Sequence, residues 1–297
     1  MRFIEHLYRW PRLLLILSAI FWAGNIIAGR LAVDQISPLT LVFLRWVMVL
    51  GVLWPLYGRE VRTHWPQIRQ RLVSIVLMGI FGFTGFNALY YYAAHYANAI
   101  DLGILQGALP IFVLIGAFLA HRTSPTKKQL VGCLITALGV ILVATGGEPL
   151  AVLDLQFNRG ALAMLIASMC YAFYTVALRD RPQMPGTAFF TLLAVVAALS
   201  SIPLLLLEAV TTGLWRPTFQ GWLVTAFIAI FPSFVAQIFF LRGVDVVGPG
   251  RAGIYLNLVP VLAAVFAVVL LREPFAAFHA VALALVIGGI WLAERAR

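Results

Sequence analysis

Residues Gly79 to Phe112 read GIFGFTGFNALYYYAAHYANAIDLGILQGALPIF, and 150 residues later the chain repeats the pattern as AIFPSFVAQIFFLRGVDVVGPGRAGIYLNLVPVLA, Ala229 to Ala263. Laid over each other without a gap, Ile80 falls on Ile230, Phe81 on Phe231, Gly103 on Gly253, Ile104 on Ile254 and Pro110 on Pro260. The register continues outward through Arg122 and Arg272, Gly139 and Gly289, Leu142 and Leu292, and backward to Ser18 and Ser168. Ile on Ile carries little information between two apolar stretches. Gly, Pro and Arg pairs sharing one register mark an internal duplication, residues 1–147 and 148–297.

Of 297 residues, 62% are hydrophobic and only 11% charged, too few charges to coat a soluble globule of that length. The chain therefore reads as an all-α integral membrane protein in contact with lipid. Ten apolar runs of spanning length lie at about 13–32, 38–57, 72–93, 98–119, 129–146, 159–178, 187–207, 221–241, 250–271 and 275–293. They are continuous, whereas a barrel would place polar residues at every second position. The longest loop is expected at Gly58–Arg71, leaving no room for a soluble domain. The first run follows Arg2, Arg9 and Arg12 but is long and lacks a clear cleavage pattern, so it is taken as retained.

The net charge of +10 is topological. Of the 21 Lys and Arg, all but Arg30, Arg159, Arg216, Arg272 and the intramembrane Arg45 fall on the side of the termini, which the positive-inside rule makes cytoplasmic. Nucleic acid is not an expected partner. Cys133 and Cys170 sit in apolar runs without a CxxC, so packing is expected of them and neither a metal nor a cofactor is implied.

In the first run Ser18, Trp22, Asn25 and Gly29 share one helical face, with Trp22 near mid-depth, lining a cavity or packing. Trp10, Trp54, Trp65, Trp215, Trp222 and Trp291 fit an interfacial belt. Arg45, about 10 Å deep, needs a partner: Asp34, Asp101, backbone carbonyls or a substrate carboxylate. In the third run Gly79, Phe83, Asn87 and Tyr90 share a face with Tyr91 beside it, and Asn87 has another amide, Gln237, as its repeat mate. Pro110 and Pro260 each remove a helical hydrogen bond, so the fourth and ninth helices are expected to kink near Gln106 and Leu256. Paired Gly/Pro-interrupted spans, here Gly103, Pro110, Gly253 and Pro260, point to a transporter's hinges. Gly248-Pro249-Gly250 reads as a non-helical entry. Tyr171 and Tyr174 share a face of the sixth run, and Tyr255 and Asn257 come from the ninth. The fifth and tenth runs, with Gly139 and Gly288-Gly289, are expected to give scaffold or dimer contact, leaving monomer and homodimer both open. Glu273 with Arg272 is expected as an ion pair or cap.

Each repeat holds five spans, an odd number, so the second copy enters the membrane from the opposite side. Inverted halves supply two near-equivalent arrangements, one open to each face. Enzyme motifs GxSxG, HExxH and GxxxxGK[ST] are absent. His6, His64, His95, His121 and His279 are scattered, and His95 reads as a solvated loop residue.

Duplicated five-helix halves, each with a Gly-rich third helix, a G-x6-P fourth helix and a fifth closing on GVIL or GIWL, resemble the drug/metabolite transporter superfamily. Within it the chain resembles EamA-type exporters, most closely the bacterial aromatic amino-acid exporter branch. Ala120-His121-Arg122-Thr123 departs from the acidic pattern that Leu270-Leu271-Arg272-Glu273 keeps. The resemblance implies a bacterial inner-membrane exporter with helices 1, 3, 4, 6, 8 and 9 around a central cavity and helices 5 and 10 outside. The expected lining is Trp22, Asn25, Phe83, Asn87, Tyr90, Tyr91, Gln106, Tyr171, Tyr174, Gln237, Tyr255 and Asn257. Amides would bind an amino acid's polar end and aromatics its side chain. An exporter of aromatic organic cations is the alternative, and a lipid-modifying membrane enzyme or a channel are further ones. No carboxylate lies near mid-bilayer, so facilitated movement is expected, with Asp101 or His95 as the remaining proton routes.

Overall fold

A computed structural model describes residues 10–148, 158–213 and 216–294. Trp215 lies outside them. Among the described residues there is no strand, and ten helices are long and apolar enough to cross a membrane. They are α1 Pro11–Leu31, α2 Pro38–Thr63, α3 Leu72–Ala93, α4 Ala99–His121, α5 Lys127–Ala144, α6 Arg159–Asp180, α7 Gly186–Thr211, α8 Phe219–Val247, α9 Arg251–Leu271 and α10 Ala277–Glu294.

Two expectations about the connections are corrected. The stretch read as the longest loop is mostly helical, because α2 runs on to Thr63 and a short helix, Trp65–Gln70, follows. Pro66 cannot continue a helix but is well placed to begin one. Of Gly248-Pro249-Gly250 only Gly248 is non-helical, at φ 85°, and helix resumes at Pro249. A positive φ suits glycine, while proline in the first turn loses no hydrogen bond.

Local structure recurs at the offset read from the sequence. The third helix of each half contains a π-turn, Ile80–Gly85 in α3 and Ala229–Val235 in α8. Where a kink is expected, the fourth helix of each half is interrupted outright, by a 3-10 turn at Gln106–Ala108 in α4 and a turn at Asn257 in α9. Pro110 and Pro260 lack the N–H that the carbonyls of Gln106 and Leu256 would accept, so the backbone tightens there. Both helices end on a left-handed arginine, Arg122 at φ 54° and Arg272 at φ 55°. Reverse bonds from Thr123 N to Ala117 O and Glu273 N to Ala267 O satisfy the last turns.

Helices α5 and α10 pack backbone against backbone. A Cβ on Gly132 would meet the Gly289 carbonyl and lie 2.9 Å from Ala293 N, and one on Gly139 would lie 2.7 Å from Ala282 O. Of the glycines expected to serve scaffold or dimer contact, Gly139 and Gly289 thus pack within the chain, while Gly288 meets nothing within 4 Å. Close approach of this kind is the usual means of holding helices together where lipid offers no hydrophobic drive.

Helices α4 and α9 meet along only part of their length. Near the face opposite the termini, Ala99–Leu105 packs against Leu258–Leu271, and a Cβ on Gly103 would lie 2.9 Å from Ala263 Cβ. Toward the face of the termini, Leu109–His121 buries no residue and a Cβ on Gly253 would meet nothing within 4 Å. The two helices splay at that end.

The closed face is fastened by carboxylates capping other helices. Glu208 of α7, 6% exposed, accepts from Ser37 Oγ (2.6 Å), Thr40 Oγ1 (2.8 Å), Thr40 N (2.9 Å) and Leu39 N (3.0 Å) at the start of α2. Glu273 accepts from Ala99 N (2.9 Å) and Ile100 N (3.1 Å) at the start of α4, with Arg30 Nε 3.9 Å away. A carboxylate on a helix N-terminus meets both unpaired N–H groups and the positive end of the dipole. Glu208→Ala is expected to lower stability by about 3 kcal/mol, since charged bonds are lost and buried donors orphaned. Glu208→Gln should lose less. An unchanged melting temperature of the purified Ala variant would rule out this role.

Candidate functional site

A buried polar cluster gathers on Arg45, which is 7% exposed. Its Nε donates to Ser233 Oγ (2.7 Å), and its Nη1 donates to Tyr91 OH (2.7 Å) and to Asn87 Oδ1. Each acceptor is oriented by a further bond. Ser233 Oγ donates to Ile228 O (2.5 Å), Asn87 Nδ2 to Phe83 O, and Tyr91 OH to Asn25 Oδ1 (2.9 Å). The cluster therefore joins α1, α2, α3 and α8. Ser233 lies within the α8 π-turn and Asn87 just past that of α3, so the irregular turns set both partners. Trp22 Nε1 donates to Pro232 O (3.0 Å), a carbonyl of the same π-turn.

Aromatic rings surround this cluster. The Arg45 guanidinium lies 5.0 Å from the Trp46 ring centroid, and Trp46 packs on Phe83 at 5.0 Å. Phe83 meets Tyr174 edge-on at 5.2 Å, Tyr174 meets Tyr171 at 5.3 Å, and Tyr171 meets Phe86 at 5.1 Å. Gly82 allows this approach, because a Cβ there would overlap Tyr174.

The structure thus brings Asn25, Phe83, Asn87, Tyr90, Tyr91, Tyr171 and Tyr174 into one network of hydrogen bonds and ring contacts, while Trp22 reaches only the backbone of the α8 π-turn and the Phe240 ring. Gln106, Gln237 and Tyr255 are half-buried, and their side chains make no hydrogen bond among the described residues. Asn257 bonds Glu294 of α10 (3.2 Å). The amides Asn87 and Gln237, expected as a matched pair, play unequal parts because only Asn87 reaches Arg45. Neither carboxylate expected beside Arg45 is there. Asp34 sits exposed in a left-handed turn, and Asp101 accepts from His279 Nε2 (3.1 Å), whose Nδ1 takes the Ala276 N–H (2.9 Å). Ser233 and Trp46 were not legible as site residues. A lone serine in an apolar π-turn carries no motif, and neither does a tryptophan inside an apolar run.

Outside the spans, burial pushes the His95 imidazole below its ordinary value, Asp34 opposing and Arg30 reinforcing the shift, so the ring is held neutral near pH 7. It is half-buried, not the solvated loop side chain expected. A shallow cavity of about 240 Å³ lined by Asp101, Asn158 and Thr145 lies apart from Arg45, and its one carboxylate is already held by His279.

Ten apolar helices enclosing a buried polar and aromatic cluster, with α4 and α9 splayed toward one face, define a multi-pass membrane protein. The EamA-like transporter family matches residues 9–145 and again residues 158–294. The chain belongs to that family. It is 29% identical over 77% of its length to the uncharacterized transporter YyaM of Bacillus subtilis (strain 168), covering 75% of that protein. It is 27% identical over 91% of its length to the uncharacterized transporter YetK of the same organism, covering 82%. A more distant relative, 23% identical over 69% of this chain and 64% of its own length, is the S-adenosylmethionine/S-adenosylhomocysteine transporter of Chlamydia muridarum (strain MoPn / Nigg). A solved crystal structure superposes with a TM-score of 0.65 at 20% identity, over 95% of this chain and 96% of that one, a likeness of fold.

Proposed function

We propose that the chain is an inner-membrane exporter of neutral amino acids, hydrophobic and aromatic ones above all, and that it works by alternating access between two inverted five-helix repeats, 1–147 and 148–297. The observation that carries this reading is the unequal environment of two repeat-related glycines. Gly103 lies against Ala263, while Gly253 faces open space. In an inverted pair the other state is reached by exchanging these environments, so that Gly253 closes on Val113, the repeat mate of Ala263, and Gly103 opens. Gly103, Pro110, Gly253 and Pro260 are the hinges of that exchange, and both termini are read as cytoplasmic.

Amino-acid cargo is supported by a site that offers amides and hydroxyls beside aromatic rings. S-adenosylmethionine and S-adenosylhomocysteine, named for the Chlamydia relative, each carry an α-amino-acid end. Organic cations, the second reading, are opposed by the positive charge of Arg45, which has no carboxylate beside it among the described residues. The single chain is read as the transporting unit, since the glycine faces of α5 and α10 are occupied by each other.

The test is efflux of labelled phenylalanine, methionine and threonine from liposomes holding the purified protein. Saturable phenylalanine efflux is expected, reduced about tenfold or more by Asn87→Ala, the loss of one charged hydrogen bond in the site. Acceleration by an imposed proton gradient would contradict facilitated movement. Transport of a quaternary ammonium ion but of no amino acid would sink the substrate class.

A further inference from the structure

The three N–H groups on Nε and Nη1 of Arg45 are accounted for by Ser233, Asn87 and Tyr91, leaving the two on Nη2. Among the described residues Nη2 makes no hydrogen bond, and the acceptors on the other side of the guanidinium are all neutral. Three acids near the closed face are engaged elsewhere, Glu208 on the start of α2, Glu273 on the start of α4 and Asp101 on His279, while Asp34 and Glu148 are exposed at the surface. A guanidinium buried to 7% exposure without a counter-charge is costly, and membrane proteins tolerate such groups where function needs them.

The surroundings reinforce the imbalance. Tyr90 OH and Trp46 Nε1 are buried with no acceptor, at 1% and 2% exposure of their residues. Trp46 lies under the guanidinium, and Tyr90 packs edge-on against Tyr91 at 5.1 Å. The cluster therefore holds more donors than acceptors, with the guanidinium plane oriented by three fixed contacts and one edge uncommitted. That is the arrangement a planar anion completes, because the fork of an arginine edge matches the two oxygens of a carboxylate.

We infer that Arg45 is the residue that binds the transported solute's carboxylate, so that the substrate supplies the counter-ion the protein lacks. The inference rests on the amino-acid reading above and names the atom group that reading leaves open. Asn87, Tyr91 and Ser233 are positioning residues that hold the guanidinium. Trp46 and Phe83 form an apolar wall beside it for the side chain of the same solute. A solute that keeps the aromatic ring and the amine but lacks the carboxylate leaves the arginine unpaired and adds a like charge.

The experiment compares L-phenylalanine with phenethylamine, the same molecule without its carboxylate, and with phenylalanine amide, in liposomes holding the full chain. Wild type is expected to move phenylalanine at least about tenfold faster than either analogue, the discrimination one charged pair ordinarily gives. Arg45→Gln should lower phenylalanine transport by a similar factor and bring the two rates to within about twofold, while Arg45→Lys recovers part of the preference. A folded Arg45→Gln protein that keeps the wild-type preference would show that Arg45 is structural and overturn the inference, leaving the amino-acid reading intact. The wild-type arm needs no variant to fold: equal rates for phenylalanine and its amide overturn the inference directly. Transport of phenethylamine with no transport of phenylalanine overturns the amino-acid reading and the inference together.

Discussion

Gly289→Ala is expected to remove most of the folded protein, while the same change one residue earlier, at Gly288, leaves the yield at the wild-type level. A Cβ on Gly289 would lie 2.5 Å from Gly132 O and 2.7 Å from Thr136 N, whereas one on Gly288 would meet nothing within 4 Å. Thr136 Oγ1 lies nearer still and is held by its own bond to Gly132 O (2.9 Å), and the other two obstructing atoms are backbone. They cannot rotate away as a side-chain tip would. Overpacking ordinarily costs about 1–3 kcal/mol, and a helix pair forced apart along its length belongs at the upper end or above. Against a total stability of about 5–15 kcal/mol, that is enough to deplete the native state. Gly288→Ala should be neutral or gain a few tenths of a kcal/mol, about what removing a helical glycine yields. The monodisperse peak in detergent and its melting temperature read both variants. Equal behaviour of the two would show that α5 and α10 do not meet at this seam.

A disulfide between Gly103→Cys and Ala263→Cys, in a background with Cys133→Ala and Cys170→Ala, is expected to reduce transport to the leak of empty liposomes, with full recovery on reduction. The added Cβ starts 2.9 Å from its partner, slightly closer than the usual separation of about 3.5–4.5 Å across a disulfide, so a small outward shift suffices. The bond would staple the closed face. The complementary pair, Val113→Cys with Gly253→Cys, has open space at Gly253 and should form only when the carrier visits its other state. The two bonds should exclude each other in one molecule. Undiminished transport by the fully oxidised 103–263 pair would rule out alternating access through these helices.

Much of this architecture was legible in the sequence because hydropathy along a helix is a local, one-dimensional property. The ten runs match the ten helices to within a few residues at most ends, and the proline breaks at Gln106–Ala108 and Asn257 fall where a missing N–H puts them. The Arg45 cluster was only half legible. Its aromatic and amide members stand out as unusual residues at depth, but which of them meet depends on rotation and on the π-turns, which are tertiary in origin. The expected symmetry of Asn87 and Gln237 does not extend to their bonds, since the repeat mate of Arg45 is Val195 and only one half carries the cation. Glu208 escaped notice because an acid near a helix end reads as interfacial. Its partners at Ser37, Leu39 and Thr40 are more than 160 residues away in sequence.

The π-turns at Ile80–Gly85 and Ala229–Val235 bear on the history of the chain as well as on its shape. Such a turn amounts to one extra residue in an α-helix, and losing it would swing the following segment by about 100°, the rotation of a single helical step. In α3 that would carry Asn87 and Tyr91 away from Arg45, so the insertion cannot be discarded gradually once the cluster depends on it. The same insertion stands at matching positions in both halves. A single event in a five-helix unit that was later doubled would account for both, in keeping with the family's separate match to each half.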